Sequence, residues 1–275
     1  MKNIICIIAR TNSKRLEKKV LKEINGISMI EYIIGKMKKS KFASEIYICT
    51  SNDTEDSVLE NVAKKNGVKF YAGHPDAPIE RMMSVAEIEN ADHVVRITGD
   101  NIFTDEVYLD LMFKYHIENK SDYTRTEFLP VGVTAEVIKV EALKKCFEMM
   151  PIEFSEYLLM YMFQPQNFNC LVLVPCEKHR NPNWSLTVDN ADDWERTVEI
   201  IGKNRFLNYD EIVEICNSRK ISNLNYNPTG LVKMPANFYI YFKTFRTEMD
   251  LRVESSQRID ISIDEYYNIK NEQGI

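Results

Sequence analysis

The sequence lacks the features that mark several large classes of protein. Its apolar runs all fall short of the roughly 20 residues needed to span a bilayer, so a membrane-embedded chain is not expected. Met1-Lys2-Asn3 leads into an apolar run too short for a secretory leader. Four histidines (His74, His93, His116, His179) stand at no spacing used by metal modules. Six cysteines (Cys6, Cys49, Cys146, Cys170, Cys176, Cys216) have no paired spacing, which excludes a disulfide framework and fits a reduced, cytoplasmic setting. No Gly-x-Gly-x-x-Gly fingerprint and no Gly-x-Ser-x-Gly elbow is present, so dinucleotide and serine-hydrolase readings lack their signatures. Cations do not outnumber anions: 35 Lys and Arg against 41 Asp and Glu give a net charge of −6. General binding to nucleic acid or membrane surfaces is therefore not expected, and any anion site must be local. There are no internal repeats and no low-complexity tract.

Against these absences, residues 4–19 stand out. Ile4-Ile5-Cys6-Ile7-Ile8 reads as a strand buried on both faces. Arg10, Lys14, Arg15, Lys18 and Lys19 follow it directly. A buried strand that opens into a cationic loop places fixed positive charge at the carboxyl edge of a sheet, where open α/β sheets hold their ligands. Several donors in one short loop suit a polyanion. A solvated basic loop with no partner is the plain alternative.

The chain then alternates strand and helix. Ser28 and Glu31 form a capping box before Ile30, Ile33, Ile34 and Met37, which share a helical face. Strands are predicted at 45–50, 68–71 and 93–97, with helices from about Val58 to Asn66-Gly67 and over 79–89. Four such alternations in the first hundred residues predict a mostly parallel sheet sandwiched by helices. Further on, the pattern predicts a helix capped by Thr104, strands at 122–126, 133–140 and 168–174, and helices at 141–149 and 154–163. Tyr157, Met160, Tyr161, Met162 and Phe163 read as core or a subunit interface. Trp184 to Val188 reads as the last core strand, followed by a helix to about Ile201 and one capped by Asp210. We place a domain boundary near residue 220, with 1–219 as the main domain and 220–275 as a small α+β appendage. In the appendage, residues 251–254 and 258–263 read as a β-hairpin.

Two strand-end carboxylates lie on the same expected edge as the cationic loop. Asp100 follows Gly99, and Asp189 follows Val188. Taken singly, they read as a turn residue and a helix N-cap. Together with the loop they suit a site in which carboxylates hold Mg²⁺ while cations neutralise a triphosphate.

These residues carry a resemblance. Ile7-Ile8-Ala9-Arg10, with Ser13, Arg15, Leu16 and Lys19, resembles the opening motif of the acylneuraminate and CMP-KDO cytidylyltransferases, and most of all their spore-coat polysaccharide branch. Asn25-Gly26-Ile27-Ser28-Met29-Ile30, Glu80-Arg81, Arg96-Ile97-Thr98-Gly99-Asp100 and Leu186-Thr187-Val188-Asp189 resemble that family's later motifs in order, over residues 3–205. The resemblance implies a nucleotide-diphospho-sugar transferase fold of the GT-A-like Rossmann type. It further implies transfer of a cytidylyl group from CTP to a sugar acid or sugar phosphate, with release of pyrophosphate. Carried over, Ala9, Arg10, Ser13, Arg15, Lys19 and Arg81 bind the nucleotide, Asp100 and Asp189 hold Mg²⁺, and Lys19, Arg15 and Asp100 are catalytic. A cytoplasmic homodimer is expected, with CTP and a small acceptor as partners. The chain departs from the pattern at Glu17-Lys18, where the family has Pro-Gly, at Ile102, where it has proline, and at Asn190-Ala191, where it has Thr-Pro. Two other readings stay open: a glycosyltransferase on the same fold, and a catalytically inactive nucleotide-binding scaffold.

Overall fold

In a computed structural model of the chain, residues 1–150, 158–226, 230–234 and 238–275 are described. The strand β1 (Asn3–Ile8) forms where the sequence places its branched apolar run. Its side chains alternate between two cores. Ile5 and Ile7 enter one cluster, and Ile4 and Cys6 enter the other, all fully buried. A strand buried on both faces requires helices on both faces, and the following elements supply them.

A short ribbon, β2 (Glu23–Ile24) and β3 (Ile27–Ser28), leads into α1 (Met29–Met37), which starts at the expected Ser28–Glu31 capping box. Then come β4 (Glu45–Ser51), α2 (Val58–Lys65), β5 (Lys69–Gly73), α3 (Pro78–Glu89) and β6 (His93–Thr98). β1 pairs in parallel with β4 and β6, and β4 with β5. α4 (Glu106–Glu118) precedes β7 (Tyr123–Thr126) and β8 (Glu136–Lys139). β8 runs antiparallel to β6 and β7, the reversed strand in an otherwise parallel eight-stranded sheet. α5 (Val140–Met149), α6 (Leu158–Met162) and β9 (Cys170–Val174) follow, and β9 pairs in parallel with β7. The chain continues through α7 (Ala191–Ile201) and α8 (Tyr209–Ser218) to a hairpin of β10 (Leu231–Lys233) and β11 (Tyr239–Tyr241). It ends in α9 (Phe242–Glu254), β12 (Gln257–Asp260) and α10 (Ile263–Gln273). The architecture is the mostly parallel α/β sandwich expected.

Four local expectations are corrected. Asp105, not Thr104, caps α4, and Asn208, not Asp210, caps α8. Asp210 instead lies inside α8 and accepts from His179 at 3.0 Å. Residues 184–188 form no strand; the segment makes isolated bridges through Ser185 to Val131 and through Trp184 to Asn225. The hairpin expected within 251–263 is not formed, because 251–254 close α9 and Gln257–Asp260 joins the main sheet parallel to β9. The first part of the helix expected at 154–163, with Tyr157, lies outside the described residues.

The C-terminal segment is tied into the core through one carboxylate. Asp105, 1% exposed, caps α4 through Tyr108 N, accepts from Tyr209 N at 2.8 Å, and accepts from the Tyr266 hydroxyl at 3.2 Å. It thus joins the starts of α4 and α8 to α10, where Tyr266 is fully buried. Tyr266→Ala is expected to lower stability by about 3–5 kcal/mol, the usual cost of deleting a large buried aromatic, as read from urea unfolding. An unchanged midpoint would mean that α10 is not part of the cooperative core.

Candidate active site

The carboxyl edge of the sheet brings together side chains far apart in sequence. Because β1 and β6 are adjacent and parallel, their exits meet: Gly99 N donates to Ile8 O at 2.8 Å. A Cβ at Gly99 would lie 3.0 Å from the Ala9 Cβ and 3.1 Å from Val20 Cγ1, so a side chain here would have to push both neighbours back by a few tenths of an ångström. Val188 N then donates to Asp100 O at 3.0 Å, which brings Asp189 alongside the strand-end Asp100.

Lys19 closes the arrangement. Its Nζ donates to Val188 O at 2.8 Å, lies 3.2 Å from Asp189 Oδ1 and lies 3.4 Å from Asp100 Oδ2. Arg15 Nη2 donates to the same Asp189 oxygen at 2.9 Å from a largely exposed position. Asp100 Oδ1 is buried and has no hydrogen-bond partner among the described residues. The two carboxylates are half-buried at 29% and 30% exposure, close enough to share one ammonium and open enough to take a ligand. Burying an acceptor without a partner costs roughly 1–3 kcal/mol. An orphaned carboxylate oxygen beside a second carboxylate is the donor set a hard divalent cation uses together with substrate phosphates. The residues therefore fit Mg²⁺. Among the described residues, no group of three or more His, Cys, Asp or Glu side chains could hold a metal, so an all-protein cage is not present there.

The cationic loop is braced at both ends. At its start, Thr11 N and Thr11 Oγ1 both donate to Asp56 Oδ1 at 2.6 Å, while Ser51 Oγ donates to Asp56 Oδ2 at 2.5 Å. Burial works to raise the Asp56 pKa, but the hydrogen bonds from Ser51 and Thr11 outweigh it and hold the carboxyl below the ordinary range. At its end, Lys18 takes φ 48°, ψ 35°, the left-handed conformation that glycine adopts freely. Lysine thus stands where the family pattern has glycine and still makes the turn that delivers Lys19. Within the loop, Arg10, Lys14, Arg15 and Lys18 are exposed, Ser13 is half-buried and Ala9 is buried.

Asp189 is free to face Lys19 because Asn190 takes the capping role. Asn190 Oδ1 accepts from Asp193 N at 3.0 Å, and Asp193 Oδ2 accepts from Asp189 N at 2.9 Å and Asn190 N at 3.2 Å. Asp193 is held in turn by Arg196, 1% exposed, at 2.8 Å. Arg196 also donates to Thr187 O at 2.5 Å and Asn223 O at 2.9 Å, fixing the segment that leads to Asp189. Sequence reasoning missed this brace, although the three-residue spacing of Asp193 and Arg196 on a helix is the signal that finds it. It also missed Asp56, whose role depends on a partner 45 positions away.

Arg81 belongs to the other end of the loop. It is 2% exposed, its Nε and Nη1 have no partner among the described residues, and burial works against its charge, with Arg10 adding to that effect. A buried guanidinium with free donors beside Arg10 is set for an anion or a carbonyl-rich group. Lys19, Arg15, Asp100 and Asp189 therefore form one cluster, and Arg10 with Arg81 a second.

The Asp56 brace generates a pH prediction. A carboxyl whose folded value is depressed contributes stability above the unfolded value of about 4 and loses it as the pH falls through the folded value. Asp56→Asn should lower stability by about 2 kcal/mol at pH 7. The deficit should shrink as the pH falls below 4, as read from thermal melts across pH 3–7. A constant deficit would contradict an ionised brace.

A sequence model of the family described as Cytidylyltransferase matches residues 4–223. The chain is similar to the spore coat polysaccharide biosynthesis protein SpsF of Bacillus subtilis, with 28% identity over 245 residues, covering 86% of this chain and 100% of that protein. It is also similar to the 3-deoxy-manno-octulosonate cytidylyltransferase of Chlorobium phaeobacteroides, with 32% identity over 111 residues, covering 40% of this chain and 44% of that one. Among solved structures, a cytidylyltransferase from Leptospira borgpetersenii superposes with a TM-score of 0.76 at 24% identity, covering 84% of this chain and 99% of that one, a likeness of fold. The strand ends, the loop and the late aspartate all fall within the matched residues, and the chain belongs to the cytidylyltransferase family.

Proposed function

We propose that the protein is a Mg²⁺-dependent cytidylyltransferase that activates a sugar acid or sugar phosphate with CTP for surface-polysaccharide synthesis in the cytoplasm. The observation that carries the reading is the Lys19 ammonium set between Asp100 and Asp189, with the buried Asp100 Oδ1 left unpartnered. Family membership supports CTP as the nucleotide, and the similarity to a spore-coat polysaccharide protein supports the polysaccharide setting. Six buried cysteines, none of them disulfide-bonded, support a reducing compartment.

In the proposed reaction, an acceptor oxygen attacks the α-phosphorus of CTP. The new phosphorus–oxygen bond forms as the α–β bridge breaks, pyrophosphate leaves with the bonding pair, and the acceptor proton passes to solvent. Asp100 and Asp189 would hold Mg²⁺, which supplies charge neutralisation at the phosphates and lowers the pKa of a bound acceptor hydroxyl. Lys19 and Arg15 face the carboxylates and would turn to the phosphates of a bound nucleotide. There they offset charge building on the leaving pyrophosphate. The exposed cations of the loop draw the triphosphate toward a protein of net negative charge. Ala9, buried at the exit of β1, offers backbone groups to the base, and Ser13 and Arg10 flank the phosphates. Arg81 supplies donors from below.

The test is pyrophosphate release from CTP with a panel of sugar acids and sugar phosphates. Asp100→Asn should reduce turnover by roughly 1,000-fold or more while leaving the melting temperature within about 2 °C, since the substitution removes charge from a solvent-reaching carboxylate. Turnover retained in that variant would contradict the metal assignment. Release of a nucleoside diphosphate from a nucleotide sugar, with none of pyrophosphate from CTP, would replace the reading with a glycosyltransferase.

A further inference from the structure

The family match ends at residue 223, yet the chain beyond it reaches the site. A cavity of about 550 Å³ lies against the turn that carries Asp100, with Thr98 and Asn101 from either side of that turn in its lining. Part of its wall is apolar and comes from within the matched region, through Phe128, Leu129 and Val131. Another part comes from α9, through Phe242, Phe245 and Met249. Tyr226, three residues past the family match, also lines the cavity, and its ring meets Phe242 edge-on at 6.2 Å.

The α9 wall is fixed rather than loosely applied. Met249 and Val253 are buried in the second core. Arg252 Nη1 donates to Met160 O at 3.0 Å and Phe163 O at 2.9 Å. The following strand, β12, is paired over its whole length with β9. Elsewhere the lining is polar and already paired, through the ion pairs Arg96–Glu136 and Arg125–Glu127, the latter at 3.0 Å.

On the α9 side of the cavity a sugar hydroxyl would face phenyl rings and a thioether, losing water without gaining a partner. An acyl or deoxygenated substituent would lose nothing there. We infer that α9 is the specificity-determining wall of the acceptor site. It receives an apolar substituent of the acceptor. The inference rests on the cytidylyltransferase reading and adds to it a role for residues outside the family match.

The test uses the full-length chain and saturation-transfer NMR with two probe acids, N-acetylneuraminate and 3-deoxy-manno-octulosonate. Stabilisation by CTP with Mg²⁺ is measured on the same samples. In the wild type the N-acetyl methyl group should take up saturation most strongly. Phe242 and Phe245 are only half-buried, so the double variant Phe242→Ala/Phe245→Ala should fold and keep its CTP stabilisation. It should bind N-acetylneuraminate about tenfold more weakly and 3-deoxy-manno-octulosonate within about twofold of wild type. With CTP stabilisation intact, equal binding of the N-acetylated acid by variant and wild type would overturn the role of α9 and leave the nucleotide reading standing. Loss of CTP stabilisation in the wild type itself would overturn the nucleotide reading, and with it the acceptor role.

Discussion

Two carboxylates at the end of a parallel sheet repel each other, and this molecule holds them together with one ammonium group. At contact distances near 3.3 Å, each Lys19–aspartate pair is worth a few kcal/mol gross in a half-exposed setting, before desolvation is charged against it. Lys19 can reach both only because three backbone conditions are met. β1 and β6 must be neighbours, Gly99 must pack closely against Ala9, and Lys18 must turn left-handed. Each condition is local, and each is written into a different part of the chain. The consequence is a site in which Lys19 and Arg15 together offset the charges of Asp100 and Asp189.

Much of this was legible in the sequence where physics acts locally. The run Ile4 to Ile8 could hardly be other than a doubly buried strand, and Ser28 with Glu31 capped α1 as read. Parallel order followed from the alternation of elements. The expectation that Asp100 and Asp189 meet near the loop came from their shared place at strand exits, and the structure brings them to one lysine.

What failed depended on partners distant in sequence. Trp184 to Val188 has the alternation of a strand, yet it makes only isolated bridges to Val131 and Asn225 and is held by Arg196 through Thr187 O. Residues 251–263 have the residue types of a hairpin. The first half is helical because Met249 and Val253 recur on one face and are buried, and the second half pairs with β9 more than eighty positions away in parallel. The brace on the loop likewise depends on Asp56, which local reading leaves as one acid among several. Position-by-position reading finds elements and strand ends; it does not find which segment will lie beside which.

The central claim is that this charge-balanced edge binds CTP through Mg²⁺. Thermal stabilisation by CTP, UTP, ATP and GTP, each with and without Mg²⁺, tests it directly. The account predicts the largest shift with CTP and a clear increase when Mg²⁺ is added. No shift with any triphosphate, or a CTP shift indifferent to Mg²⁺, would contradict it.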